Sequence, residues 1–367
     1  MRPIRFALCS DLHCDLVPDG RRRLKDFLEF AERRKADFII HLGDFCYANE
    51  RNRDLAETWG AAGRPAYQVL GNHDMDHNTK QQAVEFLGMP APFYSFDAGE
   101  VHCIAADPNH LALAGGLQDY GFGNYFAHPA KLNWLGDAQL EWLRADLEGT
   151  DKRTIVFSHQ SLADPVFGAK DSERLQEIFR RENARCGRQK VIACMNGHDH
   201  TDGVRVQEGA YYISVNSLSF FYMSSDINVV RYSQQITEQY PILREAAPYR
   251  EPLYTLVSVT DEALFVEGRD TEFVGPAPRE CGHCGHAGGH PATACIRPRA
   301  LRLAAGRAGP AAGDCGGAGG DQRRAAAIRQ PAARASAGAA GGVWAEPLPD
   351  GGEHPAHGPR ADKTRPE

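Results

Sequence analysis

Ala66-Tyr67-Gln68-Val69-Leu70 runs straight into Gly71-Asn72-His73-Asp74. A short apolar run ends on an amide, an imidazole and a carboxylate in succession. No turn or helix cap needs those three side chains together, so the stretch reads as a buried strand that delivers a polar site. Four other places repeat the construction. Ile4 to Cys9 leads to Asp11-Leu12-His13, and Asp37 to Ile40 leads to Gly43-Asp44-Phe45-Cys46-Tyr47. Thr154 to Phe157 ends at Ser158-His159, and Val191 to Met195 leads to Gly197-His198-Asp199-His200. Ligands gather at the carboxyl ends of strands in an α/β sheet, so all five loops are expected to converge.

Between these strands the apolar period changes to that of helices. Leu24, Phe27, Leu28 and Ala31 fall on one face, Asp54 to Ala62 is a second helical segment, and Leu140, Leu143 and Leu147 mark a third. Another helix is expected from Ser172 to Glu182. The front of the chain is therefore a βαβαβ series with parallel strands. Phe93 to Asp97 and Val101 to Ala106 read as a hairpin, and Pro108 to Trp134 as a long loop. Later strands at Gly203 to Gln207, Tyr211 to Val215, Tyr254 to Val259 and Ala263 to Glu267 have hairpin spacing and point to a second sheet. From about Gly275 the chain turns rich in Ala, Gly, Arg and Pro, too poor in large apolar residues to offset its ordering entropy. Residues 1–274 are read as one catalytic domain and 275–367 as a disordered tail. The tail's composition also fits a GC-rich gene read out of frame, which the codons would decide.

The loop residues suit a dinuclear metal site, since imidazole and carboxylate bind divalent first-row metals and iron. Asp44 stands alone after a tight glycine turn and is the natural bridging carboxylate. Such a bridge sets two ions about 3.5–4 Å apart, the separation used for phosphoester cleavage. A neutral Asn72 oxygen would limit the negative charge facing an anionic substrate. Gly43, Gly71 and Gly197 let the backbone turn beside the metals.

The five loops, over roughly residues 4 to 216, resemble those of the calcineurin-like metallophosphoesterase superfamily. The resemblance implies a four-layer αββα sandwich of two mixed β-sheets flanked by helices. It implies one metal held by Asp11, His13, Asp44 and His200, and another by Asp44, Asn72, His159 and His198. It further implies His73 as the catalytic imidazole with Asp74 as its orienting carboxylate, and a metal-bridging hydroxide as the nucleophile. The metals would be manganese, iron or zinc, and the substrate a small-molecule phosphodiester or phosphomonoester. Bacterial cyclic nucleotide phosphodiesterases share the Asp-x-His and Asn-His-Asp pattern, which tilts the reading toward diesters. Gly43-Asp44-x-x-Tyr47 is also similar to the purple acid phosphatase form, where the tyrosine binds ferric iron. That branch has Asp-x-Gly where this chain has His13, so Tyr47 is read as a packed residue rather than a ligand. The alternative is a non-catalytic scaffold on the same fold, but such members have lost ligands that this chain keeps.

Charge and cysteines bound the setting. A net charge of −7 gives no basic track for a nucleic acid. No apolar leader precedes Ile4 and no run is long enough to span a membrane, so neither secretion nor insertion is expected. Of ten cysteines, Cys9, Cys14, Cys46, Cys103 and Cys194 lie in or beside core strands, which suits a reduced, cytoplasmic protein. Cys281-Gly-His283-Cys284-Gly-His286 looks like a metal knuckle but lacks a second ligand pair. His41 is read as core, and Asp15, His77, His102 and His110 as packed or exposed polar residues. The aromatic stretches Tyr120 to Phe126 and Ser219 to Met223 are either a lid over the substrate or packing on the sandwich.

Overall fold

A computed structural model describes residues 2–164, 167–283 and 291–304. Two six-stranded sheets make up the body. The first runs, edge to edge, Arg299–Arg302, Ala263–Val266, Thr255–Val259, Ile4–Cys9, Phe38–His41 and Ala66–Gln68. Its last three strands are parallel, with Phe6 beside Phe38 and Ile40 beside Tyr67. The second sheet runs Gly203–Gln207, Ala210–Ser214, Val191–Asn196, Arg153–Ser158, Val101–Ala105 and Tyr94–Ala98. Four of its strands, from Ala210–Ser214 to Val101–Ala105, are parallel.

Alternate side chains of a strand face opposite ways, and here both faces are covered. In the second sheet Cys103, Ile155, Phe157, Ala193, Met195 and Ile213 join the core shared with the first sheet. Their neighbours Ile104, Val156, Cys194 and Tyr212 pack instead on Leu140, Leu143, Leu175 and Phe179 of the helices Asp137–Glu148 and Ser172–Cys186. Phe6 meets Phe157 edge-on between the sheets, ring centroids 5.7 Å apart. On the far side of the first sheet, helix Gly20–Arg33 buries Leu24, Phe27 and Ala31. Phe27 stacks on Trp59 of helix Arg53–Gly60 and meets Tyr254 edge-on. Helix, sheet, sheet and helix thus form the four layers expected. Cys9, Cys14, Cys46, Cys103 and Cys194 are buried free thiols.

Three expectations need correction. The hairpin Thr255–Val259/Ala263–Val266 extends the first sheet, through antiparallel pairing of Thr255–Val259 with Ile4–Cys9, and does not build the second. The stretch 108–134 carries a hairpin of its own, His110–Leu113 with Gly116–Asp119. The segment from residue 275 does not lack structure throughout. Cys295–Ile296 pairs with Arg269–Asp270, and Arg299–Arg302 adds the edge strand beside Ala263–Val266. Ile296 and Leu303 are buried there, apolar positions that an Ala- and Gly-dominated average conceals. Cys284, His286 and residues 305–367 lie outside the described residues.

Candidate metal centre

All five polar loops leave the carboxyl ends of parallel strands at one edge of the sandwich. Backbone bonds past the strand ends hold them together: Asp11 N donates to Gly43 O at 3.1 Å, His13 N to Asp44 O at 2.9 Å, and Gly197 N to His159 O at 3.1 Å. Asp11, His13, Asp44, His198 and His200 all have left-handed backbone, with φ of 54°, 46°, 59°, 65° and 49°. Non-glycine residues occupy this region only where the surroundings enforce it, most often at functional sites. The glycines make room for that crowding. A Cβ on Gly71 would collide with the Asp44 backbone and carboxylate, and one on Gly197 with Ser10 and the Asp11 carboxylate.

Two triads result, Asp11–His13–His200 and Asp44–His159–His198, each with ligand atoms within 4.8 Å of one another. Asp11 Oδ1 lies 3.2 Å from His200 Nε2 and 3.8 Å from His13 Nε2. Asp44 Oδ2 lies 3.0 Å from His159 Nε2 and 3.6 Å from His13 Nε2, so this one oxygen faces both triads. The other oxygen of each carboxylate is held by the backbone: His198 N donates to Asp11 Oδ2 at 3.2 Å and His73 N to Asp44 Oδ1 at 2.8 Å.

The imidazoles are oriented from behind. Nδ1 of His159 faces Leu42 O, and Nδ1 of His200 faces Phe220 O, each at 2.7 Å. A carbonyl can only accept, so those nitrogens carry the protons and both Nε2 atoms turn inward. His13 Nε2 and His200 Nε2 approach to 3.2 Å, as do His198 Nδ1 and His159 Nε2. Lone pairs brought this close call for a proton or a cation between them. Asp11 Oδ1 and Asn72 Oδ1 are buried without any hydrogen-bond partner, which metal ligation would supply. Two carboxylates, four imidazoles and an amide oxygen fit a pair of first-row ions.

Electrostatics follow from burial set against charge. Burial alone would raise the Asp11 carboxyl, but His200 and His159 outweigh it and hold it below the usual range. Asp44 is likewise held low, by His159, His73 and His13 against burial. Burial drives His13 and His198 down to about 3, leaving them neutral. Burial also opposes charge on His159, yet Asp44 pushes that ring up to about 10.

His73 stands beside the triads, its ring centroid 5.4 Å from that of His13. Its orienting carboxylate is Asp76, not Asp74: His73 Nδ1 meets Asp76 Oδ2 at 2.9 Å. The reason is local. His73–Met75 is a turn of 3₁₀ helix, with three residues per turn, so positions 73 and 76 share a face. Asp74 points inward and accepts from Gly71 N at 2.8 Å, Phe45 N at 2.7 Å and Asp44 N at 3.2 Å, clamping two ligand loops together. Tyr125, which no motif singles out, adds its hydroxyl to Asp76 at 2.5 Å. A spacing of three on a tight turn could have revealed Asp76, whereas nothing in the aromatic segment marks Tyr125.

The remaining candidates do not join the triads, although Tyr47 and Asp15 border a small cavity beside His13, Asp44 and His73. Tyr47 meets His77 edge-on at 4.4 Å. His102 bridges Asp97 and Asp146, each at 2.8 Å. His110 lies with Asp119 and the buried Lys80, and Asp15 receives Tyr47 N and Asn52. His41 is fully buried and accepts from Gly43 N. A pocket of about 590 Å³ opens over the triads. Its lining includes His13, Asp44, His73, His198 and His200, the apolar Leu16, Phe126, Phe220 and Ile242, and the acidic Asp164, Asp199 and Glu245; among the described residues it contains no lysine or arginine.

Residues 4–202 match the calcineurin-like phosphoesterase family. The chain belongs to that family. Several solved structures are similar to the chain at low identity. A dimetal phosphatase from Danio rerio is 15% identical, with 74% of this chain and 98% of that one covered and a TM-score of 0.49. GAP50, described as the anchor in the inner membrane complex of Plasmodium, is 12% identical, covering 83% of this chain and 90% of that one at a TM-score of 0.46. Vacuolar protein sorting 29 from Cryptosporidium parvum is 15% identical over 74% and 95%, with a TM-score of 0.35. No curated protein matches the chain. Within the calcineurin-like phosphoesterases the two triads support a dinuclear metal site. Among the described residues no helix is long and apolar enough to cross a membrane.

Proposed function

We propose that this calcineurin-like phosphoesterase hydrolyses a small-molecule phosphodiester. The observation that carries the reading is Asp44 Oδ2 facing both triads at the base of a pocket lined by apolar and acidic side chains. Asp11, His13, Asp44 and His200 would hold one ion, and Asp44, Asn72, His159 and His198 the other. Bound there, manganese, iron or zinc would polarise the phosphoryl oxygens and lower the pKa of water to about 7. Backbone N–H groups of His73 and His198 fix the two carboxylates, so the ligands need little reorganisation on binding. His73 supports proton transfer to the leaving oxygen. Burial opposes its charge, but Asp44 and Asp76 push it up to about 9, so it holds a proton at neutral pH.

The lining favours a diester over a monoester. Leu16, Phe126, Phe220 and Ile242 suit an apolar or aromatic organic group; Asp164, Asp199 and Glu245 also line the pocket, and among the described residues no basic side chain there balances a second phosphate charge. The buried free thiols support a reducing, cytoplasmic setting. Steady-state hydrolysis of bis-p-nitrophenyl phosphate and p-nitrophenyl phosphate, after loading with each metal in turn, tests the proposal. The diester is expected to show the higher kcat/KM by about tenfold or more, a difference of one 1.4 kcal/mol step. Equal rates, or a faster monoester, would contradict it.

A further inference from the structure

We infer that Tyr125 is a positioning residue that sets one metal ligand and the leaving-group imidazole at once; the inference rests on the phosphoesterase reading of the site. The side chain is 6% exposed, and its hydroxyl has three polar neighbours. Asp76 Oδ1 lies 2.5 Å away, His73 Nδ1 3.1 Å and Asn72 Nδ2 3.3 Å.

Counting protons assigns every role. The hydroxyl has one proton, and Asp76 Oδ1, an acceptor only, takes it. The phenolic oxygen is then an acceptor toward its other two neighbours. Asn72 must therefore present its NH₂ to Tyr125, which turns Oδ1 the other way, where it is buried without a hydrogen-bond partner. That is the orientation metal ligation needs. His73 Nδ1 faces two oxygens, Asp76 Oδ2 at 2.9 Å and Tyr125, so Nδ1 carries a proton and Nε2 is the nitrogen left for substrate. One hydroxyl thus fixes an amide flip and, together with Asp76, holds the imidazole by its Nδ1–H.

The segment that brings Tyr125 here is strapped down. Phe122 N donates to Asn78 O at 3.0 Å and Gly123 N to Met75 O at 3.1 Å, both in the stretch that follows His73. The Tyr125 ring stacks on buried Tyr120 at 5.0 Å, and the Tyr120 hydroxyl is held by Asn133. Of the two readings open for Tyr120 to Phe126, the bonds favour a fixed brace over a swinging lid, with only Phe122 and Phe126 exposed among its large apolar side chains.

Tyr125→Phe keeps the stacked ring and removes the hydroxyl, so it separates positioning from packing. Manganese titration by calorimetry should show one of the two ions bound about tenfold more weakly, the lower end of the effect of losing a ligand's outer partner. Turnover should fall further for an alkyl ester than for a p-nitrophenyl ester, because only the former needs the proton. Phe122→Leu, in the same strap with its side chain in solvent, should leave both readouts unchanged. Wild-type metal affinity together with equal rate losses across leaving groups would overturn the inference. If the wild-type protein cleaves no phosphoester, the phosphoesterase reading fails, and the metal titration alone then decides whether Tyr125 orients Asn72.

Discussion

Replacing Arg299 by methionine probes an edge strand that composition assigned to a tail. Arg299 Nη1 and Nη2 bind Asp202 Oδ1 and Oδ2 at 2.8 and 2.6 Å, a bidentate pair whose side chains are 9% and 1% exposed. Asp202 stands two residues after His200, so the strand Arg299–Arg302 grips the loop that carries two candidate metal ligands. Methionine fills much of the arginine stem and leaves the carboxylate buried and unpaired. Removing one partner of a buried pair costs about 3–5 kcal/mol, while replacing both by apolar groups is often close to neutral. Equilibrium urea unfolding should therefore show Arg299→Met destabilised by about 3 kcal/mol, with Arg299→Met/Asp202→Leu recovering most of that loss. The single variant should also bind manganese more weakly, because the loop holding His198 and His200 loses its anchor. A single variant within about 1 kcal/mol of wild type, the range of an exposed pair, would refute the reasoning, as would a double variant no more stable than the single.

Three further outcomes follow from particular contacts. Asp76→Asn should lower turnover with alkyl esters more than with p-nitrophenyl esters, whereas Asp74→Ala should lower stability by about 3 kcal/mol, roughly 1 per orphaned N–H; the opposite pattern would restore Asp74 as the partner of His73. His102 is raised above its ordinary value, its hydrogen bonds to Asp146 and Asp97 outweighing burial. Its stabilisation is thus complete below the unfolded value near 6.5 and lost as pH rises through the folded one. The melting-temperature gap between wild type and His102→Gln should accordingly be widest near pH 6 and shrink in alkali; a gap that widens with pH would reverse the sign. Finally, Asp44 holds a proton on His159 up to about pH 10, so a metal must displace it. Calorimetric titration at pH 7 in buffers of differing ionisation heat should show net proton release, and a heat independent of buffer would contradict this.

The candidate ligand loops were legible because each follows a short apolar run, three of them the fully buried strands Phe38–His41, Arg153–Ser158 and Val191–Asn196, where the switch to Asp, Asn and His is abrupt. What escaped depends on geometry that spacing does not encode. Hairpin spacing at Thr255–Val259 and Ala263–Val266 gives a pair of strands but not the sheet they join; that is decided by pairing with Ile4–Cys9. Adjacency suggested Asp74 for His73, while the tight turn at His73–Met75 put Asp76 on the right face. Average composition after Gly275 hid Ile296 and Leu303, whose burial ties that stretch to the body. Tyr125 reaches Asn72 and His73 across more than fifty residues of chain, a contact only the folded strap reveals.

The shared carboxylate is the centre of the account, and metal counting reaches it most directly. Protein purified, stripped with chelator and reloaded with manganese should carry two ions per chain by mass spectrometry of the metal content. Asp44→Ala, which takes away the oxygen 3.6 Å from His13 and 3.0 Å from His159, should hold fewer than one. A wild-type protein that never binds more than one ion, or an Asp44→Ala variant that keeps two at wild-type affinity, would contradict the dinuclear site.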